Sequence, residues 1–148
     1  MNKKIIAAVL TVSSIFMSMT TGVIADDSIK IFVNGNEIDC SEVAPFIEND
    51  CTLVPMRAIF EALGVDVKWD EDTKTIISYD PVSDTSIGIQ INLPTMFVNG
   101  TPVALEAPAK IVNNSTVVPI RAVSESMKSI VDWDGETRTV SVSKALEN

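Results

Sequence analysis

The side chains best suited to chemistry in this sequence come in matched sets. Arg57, in TLVPMRAIFEAL, and Arg121, in TVVPIRAVSESM, lie sixty-four residues apart, and six of the first ten positions of the two stretches are identical. A guanidinium presents a planar fork of donors that suits a carboxylate or a phosphate. Each arginine is therefore a candidate for gripping an anion in a groove. The default is structural. Glu61 and Glu125 follow at i,i+4, where an ion pair on a helix surface contributes roughly 0.2–0.5 kcal/mol, and a long arginine can bridge helix to sheet. Trp69 and Trp133 pose the same choice. Each either packs sheet against helix or stands on the surface and stacks on a sugar ring.

Other chemistry is thin. Histidine is absent, which removes the commonest metal ligand, the usual base near neutral pH, and any Ser-His or Cys-His pair. The carboxylates Glu42 and Glu106 could in principle share acid–base work, but nothing in the sequence makes them converge. No glycine-rich phosphate loop, Ser-x-x-Lys or nucleophile elbow is present. Asp70, Asp72, Asp132, Asp134 and Glu136 gather near two turns without the spacing of a calcium loop, so solvated turn residues are the simpler reading. No catalytic, cofactor-binding or metal-binding residue is expected. Cys40 and Cys51 lie close in sequence. In an exported chain such a pair reads first as a disulfide, contributing roughly 2–3 kcal/mol; the alternative is two reduced thiols acting as small apolar groups.

Export is read from the N-terminus. MNKK, the apolar run from Ile5 to Met19, and Val23-Ile24-Ala25 before Asp26-Asp27 make a signal peptide over residues 1–25. The run is shorter than the roughly 20 residues a spanning helix needs, so cleavage near Ala25-Asp26 with no stable membrane insertion afterwards is expected; the alternative is an uncleaved N-terminal anchor. The full chain has 148 residues, eleven basic and twenty acidic. Without Lys3 and Lys4 the count is nine against twenty, a net charge of −11. Such a surface repels nucleic acid and anionic lipid.

The elements that must position these residues also recur. FVNG stands at Phe32–Gly35 and at Phe97–Gly100, and WDEDTKTI from Trp69 is answered by WDGETRTV from Trp133. A repeat of this length marks a duplicated supersecondary unit. In each copy a strand reaches a tight Asn-Gly turn, and a second turn follows at Asn49-Asp50 or Asn113-Asn114. A short strand then leads to Pro55 or Pro119, expected at the first helical position. Met56, Ile59, Phe60 and Leu63 form one apolar helical face, and Gly64 supplies a left-handed cap. Lys128 stands in its place in the second copy, so the second helix should end less cleanly. Val65, Val67 and Trp69 alternate along the next strand, and Asp134-Gly135 predicts a tight hairpin in the second copy. Ile87, Ile89, Ile91 and Leu93 predict an added strand between the copies. The class is α+β: two related halves, residues 26–80 and 81–148, each of several antiparallel strands around one short helix, together forming one compact domain.

FVNG, Val-Pro-x-Arg-Ala, Glu-Ala-Leu-Gly, Val-x-Trp-Asp and Thr-Lys-Thr together resemble the copper amine oxidase N-terminal-like, or stalk-domain, family across Ile29 to Ser143 in two copies. The second copy departs from the pattern at Ser126-Met127-Lys128, and the two cysteines lie outside it. The resemblance implies a strongly bent antiparallel sheet wrapped on a helix, and a non-catalytic domain exported by bacteria with thick walls. Copper does not carry over, since there is no histidine. The expectation is a secreted or wall-associated module that binds or spaces, partnered by a wall component or an extracellular protein. The rivals are a specific binder of wall glycan or peptide, using Arg57, Arg121, Trp69 or Trp133, and an extracellular hydrolase.

Overall fold

Alternation and turn chemistry lay out the strands. A computed structural model describes residues 26–145, and the expected signal segment lies outside the described residues. The first elements are β1 (Lys30–Val33), β2 (Asn36–Glu37), β3 (Phe46–Glu48), β4 (Cys51–Pro55), α1 (Met56–Ala62), β5 (Asp66–Asp70) and β6 (Thr75–Asp80). There follow β7 (Thr85–Gln90), β8 (Thr95–Val98), β9 (Thr101–Ala104), β10 (Lys110–Val112), β11 (Ser115–Pro119), α2 (Ile120–Ser126), β12 (Ser129–Asp134) and β13 (Thr139–Lys144). The mixture is α+β, dominated by antiparallel strands.

Three sheets result, with orders β12-β13-β1-β2, β10-β11-β4-β3 and β5-β6-β7-β8-β9. Each draws strands from both sides of residue 80. The first strand lies parallel to the last, with Ile31 opposite Val140 and Val33 opposite Val142. The other pairings are antiparallel. In the second sheet the edge strands β10 and β3 approach each other: Lys110 Nζ is 2.5 Å from Glu48 Oε1 and 5.5 Å from the Phe46 ring centroid. That sheet is thus rolled around a small cluster of Val43, Cys51, Leu53, Ala107 and Val117.

The two-residue turns form as their residues predict. Asn34-Gly35, Asn49-Asp50, Asn99-Gly100 and Asn113-Asn114 all take positive φ at both positions, the geometry that matches strand twist in a tight hairpin. The loop after Trp133 does not form the tight hairpin expected of Asp134-Gly135, and it matches the loop after Trp69 in length. Both run through four residues, 71–74 and 135–138. The left-handed positions are Lys74 (φ +52) and Arg138 (φ +50) rather than Gly135. Asp70 and Asp134 organise these turns. Asp70 Oδ1 accepts the backbone N–H groups of Asp72 and Thr73, and Asp134 Oδ1 those of Glu136 and Thr137.

Both prolines stay extended. Pro55 (ψ 117°) and Pro119 (ψ 114°) cap the helices and belong to the ends of β4 and β11, one residue before the position expected. The reason is the ladder between these strands, in which Pro55 lies opposite Val117 and Pro119 opposite Leu53. Without an N–H, proline ends that ladder rather than joining the helix.

Met56, Ile59, Phe60 and Leu63 are buried as the helical spacing predicts, and Ile120, Val123 and Met127 repeat the face. Helix α1 ends in a full left-handed cap: Gly64 N–H donates to Glu61 O, and Val65 N–H to Phe60 O. At α2, Lys128 takes φ +54 and its N–H donates to Glu125 O. There the carbonyl of Ser124 accepts instead from Met127 N–H, a tighter last turn. The added strand β7 ends at Gln90, short of Leu93. Asn92 turns left-handed (φ +65), and its N–H is taken by Ala109 O.

One buried charge joins chain segments. Asp80, at the end of β6, is fully buried and accepts from Lys144 Nζ at 3.0 Å, from Ser83 Oγ and from Val82 N–H. Burial opposes its ionisation, but these donors prevail and hold its carboxyl below the ordinary carboxylate value.

Candidate functional site

A groove of about 570 Å³ opens beside α1. One wall is the helix, with Arg57 and Glu61; a second is the end of β5 and its turn, with Trp69, Glu71 and Lys74. The far wall is formed by Ile111 and by Asn114, Ser115 and Thr116 of the β10–β11 hairpin. The loop Asp39–Glu42 completes it. Residues far apart in the chain thus share one concave, polar surface.

Trp69 reaches the groove because of its strand. Val65 is buried, Val67 half-buried, and Trp69 38 % exposed, so burial falls along β5. The indole stands opposite the fully buried Ile76 and beside α1, so most of it is covered and only its outer part is exposed. It is pinned from outside: Nε1–H donates to Glu71 Oε2 at 2.6 Å, and Glu71 Oε1 accepts from Lys74 Nζ. The Lys74 hydrogen bond, with that from Trp69, holds the Glu71 carboxyl below its ordinary value. A fixed ring whose N–H is already used offers its π-face.

Arg57 lies exposed in the same groove and, among the described residues, has no hydrogen bond or ion pair. The expected pairing with Glu61 is not made. Arg121 behaves differently. Its Nη1 is 3.3 Å from Glu125 Oε1 and 3.4 Å from the Val131 carbonyl on β12, the structural bridge predicted for it. Trp133 is 40 % exposed, and position 135, where Glu71 would have its counterpart, is glycine. The structure therefore brings Arg57 and Trp69 together in the groove and places neither Arg121 nor Trp133 along it.

The remaining candidates separate. Glu42 accepts from Ser115 Oγ at 3.2 Å, whereas Glu106 faces Cys51. The disulfide expected between Cys40 and Cys51 is not formed; both are free thiols. They pack on different clusters, Cys40 against the main core and Cys51 inside the rolled sheet. Burial, aided by the charge of Asp39 at Cys40 and of Glu106 at Cys51, raises both thiols above their ordinary value. They are held as thiols, the unreactive form.

The Glu71–Lys74 brace was missed by sequence reasoning, which took the acidic turn as a unit. Its signal was available: a carboxylate two residues after Trp69 and a lysine three residues further on, against Gly135 at the corresponding place.

The chain matches the copper amine oxidase N-terminal domain over residues 32–142. Among curated proteins no match is found. The metal in the family's name does not suit these residues. Histidine is absent from the chain, and among the described residues no three His, Cys, Asp or Glu side chains gather where an ion could be held. The matched domain family is non-catalytic. On the extent of that match, most of its length, the chain belongs to the copper amine oxidase N-terminal domain family.

Proposed function

We propose that this protein is an exported, non-catalytic module of the cell envelope, built from two related halves, and that it acts by binding. The unpaired guanidinium of Arg57 beside the pinned ring of Trp69 carries this reading. Together they offer an anion grip and a stacking face. Export rests on the signal-like residues 1–25. The two-half organisation draws support from the pairing of equivalent positions. Val54 lies opposite Val118, and Asp80 meets Lys144, each pair sixty-four residues apart.

The test is retention of the processed chain on purified cell walls, at low and at high salt. Saturable retention that is lost in folded Arg57→Ala and Trp69→Ala variants, and kept in Arg121→Ala, is expected. A wall that retains all three variants equally would remove the groove from the function. No retention of the parent would leave a spacer.

A further inference from the structure

We infer that the α1 groove is built for a short zwitterionic peptide, its free carboxylate on Arg57 and its ammonium group toward Glu61 and Asp39. This deepens the binding reading above and rests on it. The argument starts from which charges in the groove are already spent. Glu71 and Lys74 neutralise each other while bracing Trp69. Glu42 is engaged by Ser115. Arg57 and Glu61 remain, and among the described residues neither has a partner. Asp39 accepts only a local N–H, from Ser41 at 2.9 Å.

The groove thus presents one available cation and two available carboxylates around an aromatic face. Arg57 and Glu61 stand one helical turn apart, about 5–6 Å between Cβ atoms. An extended chain advances at most about 3.6 Å per residue, so the ends of a dipeptide or tripeptide can reach both. A neutral glycan would use the ring of Trp69 but make no charge-assisted contact with Arg57, Glu61 or Asp39. The charge pattern favours the peptide. Arg121 differs in that its Nη1 already meets Glu125 and Val131 O and it lies outside the groove.

The experiment uses the Trp133→Phe chain, in which Trp69 is the sole fluorophore of its kind, titrated with trialanine. A saturable change in Trp69 emission is expected. Trialanine amide and N-acetyl-trialanine should each bind about tenfold more weakly, the scale of one lost charge-assisted contact. Arg57→Gln should bring trialanine down to the level of its amide while leaving the amide unaffected, and Arg121→Gln should change neither. Equal binding of the three peptides, or no response to any, would overturn the inference. Oligomeric N-acetylglucosamine shifting Trp69 emission where trialanine does not would overturn it too, yet leave the groove as a binding site. Failure of the binding reading itself shows separately, as wall retention indifferent to Trp69→Ala.

Discussion

The segments around α1 and α2 begin from the same residues and diverge in what those residues touch. Around α1, Phe60 fills the core, Gly64 closes the helix, Arg57 is left to solvent and Trp69 is held by Glu71. Around α2, Ser124 stands fully buried at the place of Phe60 with its hydroxyl unpartnered, and Lys128 takes the left-handed position. Arg121 there ties the helix to β12. The lesson is that a helix anchored by a large aromatic and a clean cap can release its arginine for other work. A helix with a weaker core contact and cap uses the arginine to hold itself to the sheet.

The sharpest way to break that contrast is to give α1 the core of α2. Phe60→Ser should destabilise the chain by about 3–5 kcal/mol, from the cavity and the buried hydroxyl together. Ser124→Ala should by comparison be neutral or slightly stabilising, because it removes an unpartnered buried hydroxyl. Urea unfolding of both variants reads the difference, and equal losses would dissolve the distinction.

Next in size is the charge that links the two segments. Asp80→Asn should cost about 2–3 kcal/mol, since it leaves Lys144 half-buried without its carboxylate. The pH dependence has a definite sign. The folded carboxyl lies below its ordinary value, so its contribution is complete above about pH 4 and fades as pH falls through the folded value. Between neutral and acid pH the parent should lose stability faster than the Asn variant. Parallel curves would mean the pair contributes nothing.

Smaller again is the cap. Gly64→Ala should cost about 1 kcal/mol, because φ +73 disfavours a side chain even though an added methyl would meet open space. A thermal melt of that variant coinciding with the parent would show that α1 does not depend on its cap.

The least change in stability, and the most direct test of the two tryptophans, comes from Gly135→Glu. A Cβ there would meet Trp133 Nε1 at 3.5 Å, an ordinary contact, and the backbone is not left-handed. The new carboxylate should pin Trp133 as Glu71 pins Trp69. In a Trp69→Phe background the fluorescence anisotropy of Trp133 should rise, whereas an unchanged value would show that a carboxylate at this position does not reach the ring.

Much of this protein is legible in its residues alone. The Asn-Gly and Asn-Asp turns follow from residues that tolerate positive φ, and the buried face of α1 from the spacing of Met56, Ile59, Phe60 and Leu63. Those are local properties, set by a residue and its near neighbours. Gly64 and Lys128 belong with them, since the penalty for a left-handed backbone is intrinsic to the side chain. The family also came from short motifs in order, each with a local reason to exist.

The tertiary structure decided what needed a distant partner. Pro55 and Pro119 remain extended because β4 and β11 pair across sixty-four residues of chain. Trp69 lies opposite the fully buried Ile76 yet keeps part of its ring exposed, because it also lines the groove beside α1. Cys40 and Cys51, close in sequence, lie against separate clusters because the rolled sheet encloses one of them. The two arginines, written in the same motif, differ through the backbone and side chains that folding brings near them. Spacing along a chain names which side chains an element presents; only the packing of elements decides what they meet.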